Sequence, residues 1–522
     1  MSRIRLLAAL LPLGFVGIFF FWPVANILFL GLDTRGLEVF TSDRTWTIVR
    51  FTFWQAALST LLTVLLALPG AWALSQVRFR GKAIAQALLT VPFVLPTVVV
   101  ASAFVSLSGS AVTTWASGGL AAILAAHVFF NYALVARVVS AAWAGLHPDL
   151  AAAAHTLGAP RASVLRRVTL PVLRPAIGAA AMIVFLFTFT SFGVVLILGG
   201  TRWSTIEVEI YRRTAQLFDL PAASALALLQ MVAVGASLIA ITRMAGRGVA
   251  AGVATRRTPG AARPRAALVA LGPAAVLIGV PLGGLLVSAF SNRSGLGLAY
   301  FRALAESRAG TTRFVSPLDA IGNSLVFALV ATVVAVAIGS IAAIAIAGRR
   351  GGRRAYDAAL MLPLGTSAVT LGFGLLVAFD SAPLDLRSSA VLIPLAHALV
   401  GIPFVVRTLV PALRAVPQSL RDAALTLGAR RWEVGRRVDL PLVWRSALVG
   451  AGFACAVSLG EFGATAFLSR PDRPTVPVAI FRFLGQPGTL NRGQALALSV
   501  ILMALVAGVV LLTEAAARRR LS

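Results

Sequence analysis

Two copies of one polar cassette decide how this chain is organised. The first reads Ala154-His-Thr-Leu-Gly158-Ala-Pro-Arg-Ala-Ser-Val-Leu-Arg166-Arg167-Val-Thr-Leu170-Pro171. The second, 270 residues later, reads Ala424-Leu-Thr-Leu-Gly428-Ala-Arg-Arg-Trp-Glu-Val-Gly-Arg436-Arg437-Val-Asp-Leu440-Pro441. An amphipathic surface helix without a partner is one interpretation. Duplication in register favours the other, a docking surface for a soluble partner on each half of the chain.

The rest of the chain is apolar enough to be embedded in a bilayer. Hydrophobic residues make up 58% and charged residues 12%, against about 25% charged in a soluble domain. Twelve apolar blocks each exceed the roughly 20 residues that a helix needs to span a membrane: 6–31, 51–76, 83–107, 119–143, 176–199, 221–242, 267–290, 320–347, 355–379, 389–413, 446–469 and 493–516. The sequence therefore predicts an all-α polytopic membrane protein in two tandem six-helix repeats.

The basic charge is distributed as a topology signal. A net charge of +28 invites a nucleic-acid interpretation or a scattered basic surface. If both termini are cytoplasmic, however, the cytoplasmic segments hold 29 of the 46 Lys and Arg residues and the outer segments 14. That excess is the positive-inside bias, and it places both cassettes in the cytoplasm. We expect the lipid bilayer, and no nucleic acid, as a partner.

The halves align as a parallel repeat. Residues 1–244 form the predicted first repeat with its cassette at 147–175, and 267–522 form the second with its cassette at 417–445. The stretch 245–266, rich in Gly, Ala, Pro and Arg, is the predicted cytoplasmic linker. Six spans per half keep both repeats the same way round, related by a pseudo-twofold axis along the membrane normal. A pathway between the halves follows from that arrangement.

Each cassette predicts a helix, a glycine turn and a second helix. Pro148 and Pro417 suit the first turn of a helix, and Gly158 and Gly428 suit the position after its end. We expect Pro171 and Pro441 to stop the second helix. Small side chains on the first helix would let a partner approach closely, and paired arginines on the second could meet acidic groups or lipid phosphate. The small residues are Ala153, Ala154, Ala423 and Ala424, and the arginines are Arg166, Arg167, Arg436 and Arg437.

The chain offers no catalytic site and no energy source. A phosphate-binding loop needs Gly-x-x-x-x-Gly-Lys-Ser/Thr, and the only lysine, Lys82, has Gln76 at the first glycine position and Ala83 at the hydroxyl position. The single cysteine, Cys455, makes no disulfide or metal cluster. We therefore expect no enzyme activity, no cofactor and no metal, and the energy must come from another polypeptide.

Polar residues inside the spans are the candidate pathway or gate. Glu461 lies in the eleventh span, and its repeat partner is Ser191; Gly193 and Gly463 follow them and allow close helix approach or a local break. One hypothesis is that Ser191 and Glu461 face each other across the route, so that Glu461→Gln lowers transport without harming assembly. The alternative is a glutamate hydrogen-bonded between helices, whose loss would harm both or neither.

Other intramembrane candidates have simpler interpretations. His127 and His397, at matched positions, lack nearby carboxylates or cysteines and are predicted to be hydrogen-bonded core histidines rather than metal ligands. Phe51, Phe53 and Trp54 could stack on an aromatic solute, but lipid-facing anchoring is the favoured interpretation.

The cassettes resemble a known family signature. Asp422-Ala423-Ala424-x-x-x-Gly428 with Leu440-Pro441 is similar to the EAA loop of permease subunits of bacterial ABC importers, with Asp in place of Glu. The first copy, Ala152-Ala153-Ala154-x-x-x-Gly158 with Leu170-Pro171, lacks the acidic residue, which leaves open whether it docks equally strongly. The resemblance implies an inner-membrane location, a periplasmic substrate-binding protein and an ATP-binding subunit dimer on the two cassettes.

The fused two-repeat form resembles the thiamine and iron(III) branch of these importers. The stretches Val49–Ala56, Leu124–Asn131, Ser204–Tyr211 and Ala225–Met231 are similar to the thiamine permeases. The resemblance thus implies transport of thiamine or its phosphates, with iron(III) as the alternative. A secondary transporter driven by ion gradients is a rival of another class, but it has no role for paired EAA loops.

The charge distribution makes a direct prediction about topology. A protease-cleavable tag inserted at Gly252 should be reached only from the cytoplasm, and one at Ser294 only from outside, because the Lys and Arg excess lies on the Gly252 side. Proteolysis of intact spheroplasts measures this. Cleavage of the Gly252 tag by external protease would contradict the orientation.

Overall fold

The protein folds as a bundle of long helices. The computed structural model describes residues 3–107, 119–246, 264–292, 295–305, 316–348, 353–380, 385–387 and 389–518. Ten helices in these ranges are long and apolar enough to cross a membrane, and two bent helix pairs bring the possible number of spans to twelve. The all-α polytopic fold predicted from the sequence is confirmed.

The first half runs from α1 to α13. A π-helical segment, Gly17–Phe21, joins α1 to α2, a 3-10 turn covers Glu38–Thr41, and a second π-helical segment covers Leu165–Thr169. The helices are α1 Arg3–Val16, α2 Trp22–Gly31, α3 Thr34–Leu37, α4 Asp43–Gln76, α5 Lys82–Val94, α6 Thr97–Ser106, α7 Leu120–Ala144, α8 Pro148–Thr156, α9 Arg161–Val164, α10 Leu170–Phe189, α11 Gly193–Leu198, α12 Ile206–Ala215 and α13 Leu220–Gly246.

The second half runs from α14 to α25 and repeats the order of the first. A two-stranded antiparallel hairpin follows α14, with β1 Ser291–Asn292 and β2 Gly295–Leu296, and a π-helical segment covers Gly435–Asp439. The helices are α14 Pro264–Phe290, α15 Ala299–Arg302, α16 Pro317–Gly348, α17 Arg353–Gly365, α18 Ala368–Ala378, α19 Leu392–Ala415, α20 Gln418–Thr426, α21 Arg431–Val434, α22 Leu440–Gly460, α23 Thr465–Leu468, α24 Val476–Leu484 and α25 Thr489–Arg518. Most of the predicted linker, 247–263, lies outside the described residues.

Two of the twelve apolar blocks bend sharply between two helices. The block 83–107 bends by 102° between α5 and α6, and the block 355–379 bends by 97° between α17 and α18. Pro96 precedes α6 and has no N–H to continue the helical hydrogen bonds. At the second bend Ser367 caps α18, since its Oγ accepts from the N–H groups of Val369 at 3.1 Å and Thr370 at 3.3 Å. Apolar length alone could not reveal these bends.

The first span of each half packs against the other half. In the first half α1 contacts α16 and α2 contacts α18, and in the second half α14 contacts α4 and α6. The exchange is reciprocal, as a twofold arrangement requires. Each half therefore needs the other to cover its own second span and the helix after its bend.

A glycine in the first span brings α2 close to α13, a helix of the same half. At Gly31 in α2, a Cβ atom would lie 2.8 Å from the backbone carbon of Ser224 and 2.9 Å from the backbone nitrogen of Ala225, both in α13. Backbone cannot move aside as a flexible side chain can, so a larger residue forces α2 and α13 apart.

Gly31→Val should therefore destabilise the bundle by about 1–3 kcal/mol. Thermal unfolding of the detergent-solubilised protein measures the effect. Gly14→Val is the matched control, because a Cβ at Gly14 in the same span meets nothing within 4 Å. Equal melting temperatures for the two variants would show that α2 and α13 are not packed as described.

Candidate functional site

The two cassettes have the same local structure. Each begins with a nine-residue helix, α8 or α20. A glycine with left-handed backbone follows this helix, Gly158 at φ 78° and Gly428 at φ 86°. The N–H of Gly158 donates to the carbonyl of His155 at 2.9 Å, and that of Ala159 to Ala154 at 3.0 Å. The second cassette repeats both bonds with its own residues. This is a Schellman turn, which a residue without a Cβ adopts at least cost.

The helix that follows the turn does not stop where the sequence predicted. Pro171 and Pro441 were expected to end a short helix, and that expectation is wrong. Each short helix passes through a π-helical segment, Leu165–Thr169 or Gly435–Asp439, directly into the next span. The proline stands in the first turn after that segment, where a missing N–H costs nothing. Pro148 does begin α8, whereas Pro417 is the residue just before α20.

The surface of the cassettes is open and matched between the halves. The residues from Ala151 to Val164 show the same sequence of exposed, half-buried and buried positions as those from Arg421 to Val434. Ala153, Ala423 and Asp422 are exposed, and Ala154 and Ala424 are half-buried. The leucine before each glycine is almost fully exposed: Leu157 is 87% exposed and Leu427 is 88% exposed. Two apolar side chains held out on small-residue helices form a surface that another protein could cover.

The paired arginines lie on the same exposed face of each π-helical segment. Arg166, Arg167, Arg436 and Arg437 are all exposed. Only Arg437 has an acidic neighbour among the described residues, with its guanidinium 3.8 Å from the carboxylate of Glu433. The arrangement leaves cationic groups available to acidic side chains or lipid phosphate.

The cassettes differ in how they are tied to the bundle. In the second, Arg421 donates to Asp439 at 2.7 Å and to the carbonyl of Leu413 at 2.9 Å, which joins α20 to both neighbouring helices. The matched residues of the first cassette are Ala151 and Thr169, which can make no such bridge. A cavity of about 640 Å³ lies there instead, lined partly by these two residues.

The predicted pathway residues lie where the spans break. Ser191 follows the end of α10, and Glu461 follows the end of α22. The structure does not turn them toward each other: the Ser191 hydroxyl lies 2.9 Å from Nε2 of His127, in its own half. The carboxylate of Glu461 lies 3.4 Å from Nε2 of His397, also in its own half. The side chains of Ser191 and Glu461 therefore do not face each other across a route between the halves.

Glu461 has the contacts of a helix cap. Its carboxylate accepts from the N–H groups of Ala464 and Thr465, both at 2.9 Å, at the start of α23. With His397 beside it, this carboxylate is fully engaged, and the geometry favours the interpretation of a glutamate that bridges helices. His127 and His397 are buried and hydrogen-bonded to hydroxyl groups, as predicted.

The glycines beside the breaks allow close packing, and Gly193 does so between the two halves. A Cβ at Gly193 would lie 2.7 Å from Oγ1 of Thr97 and 3.2 Å from the ring of Phe462. At Gly463 it would lie 2.9 Å from Cβ of Ala368. This closeness lets Phe192 and Phe462, at matched positions in the two halves, stack with ring centroids 5.3 Å apart.

Sequence reasoning missed the aromatic cluster around this stack. We call it the interface cluster; it comprises Phe192, Tyr211, Phe462, Phe467 and Phe481, with successive rings 5.3–6.4 Å apart. The repeat alignment held the signal, because Phe192 matches Phe462 and Tyr211 matches Phe481 at the 270-residue offset.

The aromatic residues singled out from the sequence lie elsewhere. Phe53 is 43% and Trp54 50% exposed on the outside of the bundle, as lipid-facing anchors would be. Phe51 packs on Trp203, with ring centroids 5.0 Å apart.

Comparison with known proteins identifies the family. The family described as "Binding-protein-dependent transport system inner membrane component" matches the chain twice, at residues 60–251 and 335–521. The chain belongs to this family. The two matches confirm the tandem repeat, and with the apolar helices they make the chain a multi-pass inner-membrane permease of the ABC transporter class.

The relatives extend over most of the chain. The thiamine transport system permease protein ThiP of Brucella abortus (strain 2308) is 30% identical over 88% of this chain and 86% of its own. ThiP of Escherichia coli (strain K12) is 27% identical over 86% and 85%. ThiP of Haemophilus influenzae (strain ATCC 51907) is 25% identical over 95% and 94%. The resemblance to thiamine permeases noted in the sequence is confirmed.

The left-handed glycines provide a test of the cassettes. A Cβ at Gly158 or Gly428 would meet nothing within 4 Å, so a substitution there acts only through the backbone. Gly158→Val with Gly428→Val should strain each turn by about 1–3 kcal/mol and misplace the exposed leucines. We expect the protein to reach the membrane but ATP hydrolysis to be uncoupled from transport, measured as the two rates in the same proteoliposomes.

The control for this variant is Gly435→Leu. Gly435 has ordinary helical backbone and open space around it, and its matched residue in the first cassette is Leu165. Normal coupling in the double valine variant would show that the cassettes do not dock the ATPase.

Proposed function

We propose that this chain is the membrane-spanning subunit of an ABC importer that moves thiamine or its phosphates from a periplasmic binding protein to the cytoplasm. A separate ATPase dimer drives it. In this proposal the first permease repeat is 1–244, the linker is 245–266 and the second repeat is 267–522, with both termini in the cytoplasm. The chain itself catalyses no reaction.

One observation carries the coupling part of the proposal. The two cassettes present the same helix, the same left-handed glycine turn and the same pattern of exposure, one in each half. A twofold-symmetric partner would find the same surface twice, which is what a dimer of ATP-binding subunits requires. The docking residues are Ala153, Ala154, Gly158, Arg166, Arg167 and Pro171 in the first cassette, and Asp422, Ala423, Ala424, Gly428, Arg436, Arg437 and Pro441 in the second.

The docking strength should differ between the cassettes. The Arg421–Asp439 bridge holds the second docking helix, whereas the first lies over a cavity. The second cassette also carries Asp422, whose matched residue is Ala152. We infer that the second cassette is the more rigid connection between ATPase and membrane.

The solute pathway runs between the halves in this proposal. The spans break at Ser191–Gly193 and Glu461–Gly463, and the interface cluster closes the space between these breaks. Gly193 allows Phe462 of the other half to approach, and Gly463 allows Ala368 of its own half to approach. Ser191 and Glu461 fix the ends of the broken spans through His127 and His397. The substrate assignment is supported by the ThiP relatives, which cover most of the chain.

Reconstituted transport tests this function. The permease, reconstituted with its ATPase and its binding protein, should accumulate radiolabelled thiamine in proteoliposomes only when ATP is present. Ferric iron, supplied with the same components, is the comparison substrate. Uptake of iron(III) without thiamine would overturn the substrate assignment, and uptake without the ATPase would overturn the class of transporter.

A further inference from the structure

One face of α12 lies on the boundary between the halves. Glu207 and Tyr211 are four residues apart, so both side chains point to the same side of this helix. Oε2 of Glu207 accepts from Oγ of Ser367 at 2.7 Å, in the second half. The Tyr211 ring packs on Phe467 and Phe481, also in the second half. Through this face the first half supplies one carboxyl group and one aromatic ring to the shared boundary.

The carboxyl group of Glu207 has no positive partner. It is fully buried, and it accepts hydrogen bonds from Gln230 at 2.9 Å and from Ser367. Across the described residues, no Lys, Arg or His forms an ion pair with it. Glu209, two residues later, is also buried but pairs with both Arg212 at 2.7 Å and Arg213 at 3.0 Å. Glu207 is thus the buried carboxyl that lacks a counter-charge.

Burial has a predictable effect on this group. Because the interior position of Glu207 excludes water, desolvation raises its pKa to about 8. Burial therefore favours the protonated form of this carboxyl. A cation beside it would favour the ionised form and supply the missing counter-charge.

The interface cluster lies next to this carboxyl. Tyr211 connects the two, and its ring contacts Phe192 of the first half at 5.5 Å and Phe467 of the second half at 5.5 Å. Aromatic faces attract cations and stack on flat rings. The guanidinium of Arg482 donates to the carbonyl oxygens of Arg470 and Pro471.

We propose that Glu207 and the interface cluster form the contact that selects a flat aromatic cation as it passes between the halves. The proposal rests on the proposed function, since thiamine carries a positively charged thiazolium ring. The residue matched to Glu207 is Pro477, so the chain supplies one such carboxyl and not a symmetric pair. A single site with a single carboxyl suits one monovalent cation at a time.

The test compares two buried glutamates. Glu207→Gln keeps a side chain of the same shape that can still hydrogen-bond Gln230 and Ser367, so assembly should stay normal. Thiamine uptake per assembled complex should fall about tenfold, which corresponds to about 1.4 kcal/mol of lost attraction. Glu207→Asp keeps a carboxyl group, so its thiamine uptake per assembled complex should be higher than that of Glu207→Gln. Glu209→Gln is the control for a structural carboxylate, and it should reduce assembly and uptake together.

The ring contribution is tested separately. Tyr211→Ala should lower uptake per complex about fivefold, and Tyr211→Phe should leave it close to wild type, because the ring and not the hydroxyl contacts the cation. This pair decides the matter if Glu207→Gln fails to assemble. Wild-type uptake with an assembled Glu207→Gln complex, or equal uptake in the two tyrosine variants, would each overturn the proposal. Absence of thiamine uptake by the wild-type complex would instead overturn the proposed function.

Discussion

A broken helix inside a membrane protein must find new partners for its free backbone groups, because lipid offers none. This constraint shapes the whole interface between the halves. Ser367 and Glu461 cap the helices that follow two of the breaks. The N–H groups that open α12 and α24 are taken by hydroxyls of the second span of each half, Thr52 at 3.0 Å and Ser324 at 2.8 Å. These polar side chains supply the hydrogen bonds that the breaks leave without a helical partner.

The two halves share the order of their helices but differ in individual side chains. The matched cassettes agree in helix order, turn and exposure, but only the second is joined to the bundle by an ion pair, between Arg421 and Asp439. The boundary also differs between the halves, since the residue matched to Glu207 is a proline, Pro477. The repeat therefore gives the halves a symmetric frame in which individual side chains differ.

Sequence patterns predicted what depends on local composition. Block length and hydrophobicity predicted the spans, and the position of Gly158 after a run of alanines predicted its left-handed turn. Sequence patterns failed where the position of a side chain depends on a residue far away in the sequence. Nothing local in Glu461 shows that His397, 64 residues earlier, lies beside it. The π-helical segments were also missed, because a proline that usually ends a helix is tolerated when the hydrogen bonds before it have already shifted.

The π-helical segments have a mechanical consequence. From Arg161 to Phe189 the first half is helical without an intervening loop, 29 residues that extend about 40 Å at 1.5 Å per residue. One end of this continuous helix is the cassette, and the other is the break before Phe192. The helix from Arg431 to Gly460 ends in the same way before Phe462. A movement of either cassette would therefore be carried along a continuous helix to the pair of stacked rings.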